Sequence, residues 1–401
     1  MLRATSVLRP ARRPLAHGAL LALAALLPVR AMAAQGTAEV YRSAEHDYRI
    51  TTVVEGLVNP WGLAFLPNGD LLVTERPGRL RLVRKGKLLP TPVGGVPAVL
   101  SRGQGGLLDV AVHPDFASNK LVYLSFSKPT GERENGTTAV VRGTLVNDQL
   151  TNVQEIFVAQ TRGAPGHFGS RLVFDGKGYL YVSVGDRQVP PTGNLPAHPA
   201  QDLGNHHGKI LRLFDDGRVP PDNPFVGREG ARPEIWSYGH RNPQGLVLHP
   251  ETGELWETEH GPQGGDELNR IKKGANYGWP VIGFGVNYVS GSAIHAATTK
   301  EGMEQPLAVW VPSIATAGML IYTGNAFPRW KGNIFVGGMA GEQLARVTLS
   351  GGKAEISEVL VRRKGRIRDV QQGPDGFLYL AIDDRASQPS AILRLEPVAR
   401  K

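Results

Sequence analysis

Arg171-Leu-Val-Phe-Asp-Gly-Lys-Gly-Tyr-Leu-Tyr-Val182 reads as two short apolar strands joined by a turn. Each arm is rich in β-branched and aromatic residues, and Lys177-Gly178 supplies the positive φ that a tight hairpin needs. The phrase recurs as Gly62-Leu-Ala-Phe-Leu-Pro-Asn-Gly-Asp-Leu-Leu-Val73, Gly245-Leu-Val-Leu-His-Pro-Glu-Thr-Gly-Glu-Leu-Trp256 and Asp369-Val-Gln-Gln-Gly-Pro-Asp-Gly-Phe-Leu-Tyr-Leu380. Leu108–Phe116 followed by Lys120–Phe126 is a looser copy, and Met319–Tyr322 followed by Gly332–Val336 is the most degenerate one. A lone hairpin cannot bury both faces. Hairpins stacked radially bury one another, which is the logic of a propeller. The six copies predict an all-β, six-bladed β-propeller. A β-sandwich is the competing arrangement, but sandwiches rarely repeat a single hairpin phrase in this way. The ring is expected to close by pairing a strand near Tyr48–Val54 with one near Ile392–Leu395.

Composition agrees. Fifty glycines and thirty prolines suit turn-rich β structure, and helical periodicity is scarce. Residues 1–33 read as a secretory signal. Arg3, Arg9, Arg12 and Arg13 form a basic start, Gly18–Pro28 is a short apolar run, and Ala31-Met32-Ala33 is a small-residue cleavage site. The apolar run is too short to span a bilayer, which argues against a membrane anchor. Residues 34–401 are then a single exported domain, periplasmic or secreted. The chain has no cysteine, so neither disulfides nor thiolate metal sites are available. The formal charge of +9 overstates the domain: five arginines fall in the acid-free signal, leaving the remainder near +4. No dense Lys/Arg run with interleaved aromatics is present, so nucleic-acid binding is not indicated.

The unusual residues collect before and after the repeats of the third, fourth and sixth blades. Gly166-His167-Phe-Gly-Ser-Arg171 precedes one strand and Asp186 follows its partner, so the hairpin places His167 and Asp186 near the same end. A carboxylate beside an imidazole fixes its tautomer and raises its basicity. Tyr238-Gly-His-Arg-Asn-Pro-Gln-Gly245 offers Arg241 and Asn242 as neighbouring donors for an anionic or carbonyl-rich ligand. Glu257-Thr-Glu-His-Gly-Pro-Gln-Gly-Gly-Asp-Glu267 combines acids with glycines that expose backbone, a composition suited to calcium but without EF-hand spacing. Arg366 and Arg368 alternate onto one face, and two like charges there invite an anion between them. His206-His207 resembles a metal pair, but adjacent strand residues point to opposite faces, so both are read as loop residues.

Together these phrases resemble the glucose/sorbosone dehydrogenase family of soluble quinoproteins. The resemblance runs from about Val54 to Leu395 and rests on Asn59-Pro-Trp-Gly62, Gly103-Gln-Gly-Gly-Leu-Leu108, His167 with Gly169 and Arg171, Gly239–Gly245, His260-Gly-Pro262, Asp266-Glu267, Asn276-Tyr-Gly-Trp-Pro280 and Arg366-Ile-Arg-Asp369. It implies a sugar dehydrogenase that binds pyrroloquinoline quinone (PQQ) and Ca²⁺ on a six-bladed propeller and oxidises aldoses to lactones. It implies His167 as catalytic base, Asp186 as its supporting acid, and Arg241 with Asn242 over the quinone and substrate oxygens. Gln104, Tyr288, Arg366 and Arg368 match cofactor contacts. The Gly261 and Pro262 carbonyls match ligands of the ion beside PQQ, and Glu267 and Tyr277 resemble ligands of a second calcium. An aldose substrate, a periplasmic or artificial electron acceptor and a monomeric state are the expected partners and assembly. One departure is visible: Gly337-Gly-Met-Ala-Gly341 has no lysine where glucose dehydrogenases of the family carry one against the cofactor. The alternative from another class is a calcium-dependent propeller hydrolase of the lactonase kind, and a third is a binding propeller without catalysis.

Overall fold

The computed structural model describes residues 39–131, 135–383 and 390–399. The secretory-signal segment lies outside them. Six antiparallel sheets form the six blades. Blade one runs Pro60–Phe65, Leu71–Glu75, Arg79–Arg84 and Lys87–Leu88; blade two runs Leu107–Val112, Leu121–Pro129, Gly136–Val146 and Gln149–Val158. Blade three comprises Leu172–Phe174, Tyr179–Val184, Lys209–Phe214 and Ile235–Tyr238, and blade four Pro243–Leu248, Leu255–Glu259, Asp266–Ile271 and Ala308–Trp310. Blade five is Thr316–Ile321, Ile334–Gly338, Gln343–Ser350 and Lys353–Arg362. The expected hairpins are all present. The turn glycines Gly69, Gly178, Gly253, Gly332 and Gly376 have φ between 70° and 96°, the left-handed backbone that the turns require.

Blade six closes the ring. Its strands Ile367–Gln372, Leu378–Ile382 and Ser390–Val398 are completed by the N-terminal strand Asp47–Leu57, with Val40–Arg42 outside it. Tyr48 lies opposite Pro397, Ile50 opposite Leu395 and Val54 opposite Ile392, the pairing expected from the sequence. Tyr48 also donates its hydroxyl to the Leu360 carbonyl of blade five.

Packing follows the radial logic. Each large apolar cluster lies between two neighbouring blades: Leu82 and Leu124 between one and two, Val140 and Leu180 between two and three, Ile210 and Leu255 between three and four. Trp256 and Val336 join four to five, Phe335 and Leu380 five to six, and Val73 and Ile392 close six onto one.

Around the central channel the joints are polar. A Cβ on Gly62 would come within 2.7 Å of Asp109 Oδ1, and one on Gly318 within 2.0 Å of Asp369 Oδ1. Glycine therefore lets each aspartate reach across from the next blade. Asp109 accepts the Leu172 amide at 2.8 Å, Asp369 the Leu63 amide at 2.9 Å, and Asp266 the Ile314 and Thr316 amides. Arg171 bridges Asp109 and Asp369, each at 3.0 Å, beneath the Trp61 ring. This triad is fully buried, so removing one partner would strand a charge in the protein interior. Long segments depart from the repeat in blade three, at 185–208 and 215–234, and in blade four, at 272–307.

Candidate functional site

In each hairpin the start of the inner strand and the end of the second strand lie side by side. The residues just outside those ends therefore converge at one mouth of the channel. There a cavity of about 810 Å³ is lined by all six blades: Asn59, Trp61 and Arg76 from blade one, Gln104 ahead of blade two, Phe168 and Gly169 from three, Gln244, His260 and Tyr288 from four, Met339 and Glu342 from five, and Arg366, Arg368 and Asp383 from six. A second cavity of about 180 Å³ adjoins it, lined by His167, Asp186, Arg241, Trp279 and again Tyr288.

The hairpin brings His167 and Asp186 together as the sequence suggests. His167 Nδ1 stands 2.6 Å from Asp186 Oδ1, and both are buried. Asp186 Oδ1 also accepts the Gln188 amide at 2.8 Å, and Oδ2 accepts Trp279 Nε1–H at 2.8 Å. The His167 backbone amide donates to Gln104 Oε1 at 2.8 Å. His167, Arg187 and Gln188 all hold positive φ, which is costly for non-glycine residues and clusters where function demands a fixed geometry. Arg187 underpins this turn: it donates to the Gly166, Gly136 and Ala164 carbonyls and stacks on Phe168, with its guanidinium carbon 3.7 Å from the ring centre.

Electrostatics assigns the proton. Burial, aided by the Arg241 charge, lowers the His167 pKa below its ordinary value, while Asp186 opposes. Burial works to raise Asp186, but His167 and Arg241 outweigh it and hold the carboxyl below the usual range. The pair is thus a carboxylate and a neutral imidazole. Nδ1–H donates to Asp186, and Nε2 keeps a lone pair for a proton.

The other expected residues fall into distinct places. Arg366 and Arg368 line the large cavity, as the alternation argument requires. Arg368 donates to Gln244 Oε1 at 3.1 Å and lies 3.8 Å from Asp383. Gln104 and Tyr288 line the same cavity, and Tyr288 is 65 % exposed. Arg241 lines the smaller cavity, with its guanidinium on the Gly261 carbonyl at 2.7 Å and the His260 carbonyl at 3.2 Å. Asn242 stands behind the wall. Its fully buried amide binds the Gly169 amide, Gln244 and His260 Nδ1, so it braces wall residues and does not itself line either cavity. The Gly261 carbonyl is shared between Arg241 and the Tyr288 hydroxyl, and the Pro262 carbonyl accepts from Ser313. The Tyr277 hydroxyl is committed to the Arg270 carbonyl and the Lys272 amide, which leaves only its backbone oxygen for an ion. His206 pairs with Glu234, and His207 with the Arg162 carbonyl, so the adjacent histidines do not share a site.

Glu267 belongs to a larger group. It lies opposite Glu259 on the neighbouring strand, and Glu257 lies opposite Asn269. The Asn269 amide nitrogen faces all three carboxylates, and His240 Nδ1 stands 3.3 Å from Glu259. One amide nitrogen has two hydrogens for three acids. Burial first, then the Glu259 charge, pushes the Glu257 and Glu267 carboxyls well above their ordinary range. Glu259, Glu267 and Tyr277 border a void of about 20 Å³, room for a single ion or water.

Sequence reasoning passed over Arg76, His260 and Trp279 as site residues. His260 is half-buried on the cavity wall, and its Nε2 atom is buried with no partner among the described residues. Burial and the neighbouring His167 and Arg241 keep its pKa well below ordinary. Trp279 lies 93 residues from Asp186 in sequence.

The family model for glucose/sorbosone dehydrogenases matches residues 57–394. This chain belongs to that family. It is 43 % identical to an aldose sugar dehydrogenase of Escherichia coli over 355 residues, covering 87 % of this chain and 92 % of that one. The apo crystal structure of the soluble aldose sugar dehydrogenase from Escherichia coli superposes with a TM-score of 0.82 at 41 % identity, over 88 % of this chain and 100 % of the other. The PQQ-bound aldose sugar dehydrogenase of Streptomyces coelicolor superposes with a TM-score of 0.71 at 31 % identity, over 88 % and 98 % of the two chains.

Proposed function

We propose that this family member is an exported, PQQ-dependent aldose dehydrogenase that oxidises the anomeric C–OH to a lactone, with His167 as general base. The observation that carries the reading is the juxtaposition at one channel mouth of a neutral histidine, fixed by a carboxylate, with a polar cavity bearing paired arginines. The PQQ-bound relative supports the choice of cofactor.

The cavity suits that cofactor. PQQ is a planar tricarboxylate, and Arg366 and Arg368 present guanidiniums to a volume of about 810 Å³. Arg368 Nε is buried without a hydrogen-bond partner among the described residues, and His260 Nε2 adds a further donor to the wall. These residues, with Gln104 and Tyr288, would hold PQQ. Once bound, it supplies the two-electron acceptor that the protein side chains lack.

The protein's part is position and proton transfer. Trp279 and Gln188 orient Asp186, Asp186 orients His167, and Nε2 faces the sugar's anomeric hydroxyl. His167 takes the hydroxyl proton as the C1 hydrogen departs with its electron pair, and C1–O becomes the lactone carbonyl. The charge that develops on His167 is stabilised by Asp186. Arg241, beside the same cavity, supports the substrate oxygen as the proton leaves.

Calcium belongs to the proposal at the acid group of blade four. Glu257, Glu259 and Glu267, with the Tyr277 backbone oxygen, form a hard-oxygen set that fits a divalent cation. At Gly261 a cation would have to share the carbonyl with the Arg241 guanidinium, so no step is assigned to an ion there. A hydrolase reading finds less support. Among the described residues Asp383 and Glu342 are the acids lining the large cavity, and Asp383 is taken by Asn59 and Arg368.

The test is direct. Purified protein receives PQQ and Ca²⁺, and dye reduction is followed with a panel of aldoses. The proposal requires PQQ-dependent turnover and a change in the PQQ spectrum on binding. Absence of both would overturn it.

A further inference from the structure

The large cavity carries a cation that the paired arginines do not account for. Arg76 follows the second strand of blade one, whereas Arg366 and Arg368 come from blade six. Ring closure makes those blades neighbours, and all three guanidiniums border the same space. The facing carboxylates are Asp383 and Glu342, and Asp383 is engaged by Asn59 Nδ2 at 2.8 Å and by Arg368 at 3.8 Å. Arg171, deeper in the channel, is balanced by Asp109 and Asp369. Among the described residues the cavity wall therefore holds three positive charges against two negative ones.

That excess is costly without an anion. Arg368 has its pKa lowered to about 9, chiefly by burial and further by Arg366 and Arg76, with Asp383 opposing. The Nε atoms of Arg76 and Arg368 are buried without hydrogen-bond partners among the described residues. Arg76 is also held in place, since its Nη1 donates to the Gly103 carbonyl at 2.8 Å, next to cavity-lining Gln104. Gly103 uses one of the five donors of a guanidinium and leaves the rest for a ligand. Blade five brings Met339 and Ala340 to the cavity but no cation.

We propose that Arg76 is a third carboxylate-binding residue, which closes a ring of cations around a polycarboxylate cofactor from the blade-one side. The inference rests on the PQQ reading above and goes beyond it in assigning this residue. An Arg76 that only braced the Gly103 turn would support any ligand equally. One that binds a carboxylate discriminates between the free acid and its ester.

Equilibrium titration of the cofactor-free protein with PQQ and with the trimethyl ester of PQQ separates these roles, using ligand absorbance and fluorescence as readouts. In Arg76→Gln the Kd for PQQ should rise about 10- to 100-fold, the loss of one charge-assisted hydrogen bond to a carboxylate. The Kd for the ester should stay within about twofold, and the salt dependence of PQQ binding should become shallower. Arg76→Lys keeps the charge and should recover part of the affinity for PQQ; it serves equally if Arg76→Gln fails to fold. Equal weakening for acid and ester, or unchanged PQQ affinity in a folded variant, would overturn the assignment and leave the PQQ reading standing. Wild-type protein that binds no PQQ would remove both.

Discussion

Replacing Asp186 by asparagine tests the proton assignment through two atoms. Oδ1 accepts His167 Nδ1–H and the Gln188 amide, and Oδ2 accepts Trp279 Nε1–H. An asparagine can present oxygen to only one side. With its NH₂ toward Trp279, two buried donors confront each other, at a cost of roughly 1–3 kcal/mol in stability. The imidazole then keeps its tautomer but loses the anion that stabilises its protonated form. With the NH₂ toward His167, the imidazole must take the other tautomer, which places its proton on Nε2 and abolishes the base. The first outcome weakens general-base assistance and the second removes it, so kcat should fall by about 10²- to 10⁴-fold. PQQ affinity should hold, because Asp186 does not line the large cavity. The assay is dye-linked aldose oxidation with saturating PQQ across pH, alongside direct PQQ titration. In the wild type, kcat should fall on the acid side as His167 protonates, with a midpoint below the ordinary histidine value. A variant whose kcat stays within about threefold of wild type, under ~1 kcal/mol in barrier, would refute the pairing as a catalytic device.

Other expectations follow from the same geometry. His167→Ala should bind PQQ as the wild type does and lose most turnover; retained turnover in dye reduction would remove His167 from its role. Arg171→Leu should destabilise the protein by about 3–5 kcal/mol in denaturant unfolding, because Asp109 and Asp369 would be left buried without their partner. EDTA should lower the Tm and Ca²⁺ restore it, an effect lost in Glu257→Gln/Glu267→Gln; a Tm indifferent to EDTA and calcium would dissolve the blade-four ion site. Deleting residues 39–57 should prevent folding, since it strips the closing strand from blade six, and a native-like circular dichroism spectrum would contradict that.

The fold was legible because its determinants are local. Each hairpin carries its own strand-forming arms and its own turn glycine, so Gly178 or Gly376 reports its blade without reference to any other. Ring closure could be read as well, because Tyr48–Val54 and Ile392–Leu395 are strand phrases at the two ends that lack another partner. The His167–Asp186 contact follows from the same hairpin geometry. What escaped lies across blades. Trp279 reaches Asp186 from the long segment after blade four, and nothing near Trp279 in sequence announces that contact. Arg76 sits in an ordinary-looking turn, Glu75-Arg-Pro-Gly78, and gains meaning only when blade six closes beside it. The resemblance implies Asn242 over the quinone, whereas the contacts its amide makes, to Gly169, Gln244 and His260, could not be read from its neighbours in sequence. The acid stretch Glu257–Glu267 has a composition suited to calcium, but the grouping of its acids emerged only in the pairing of Glu257 and Glu259 with Asn269 and Glu267 on the next strand.

A crystal structure of the protein grown with PQQ and Ca²⁺ tests the central claim most directly. The account predicts PQQ in the large cavity, its carboxylates against Arg366 and Arg368, and its quinone edge turned toward His167. PQQ bound elsewhere, or a cavity that stays free of it in crystals of active enzyme, would contradict the account.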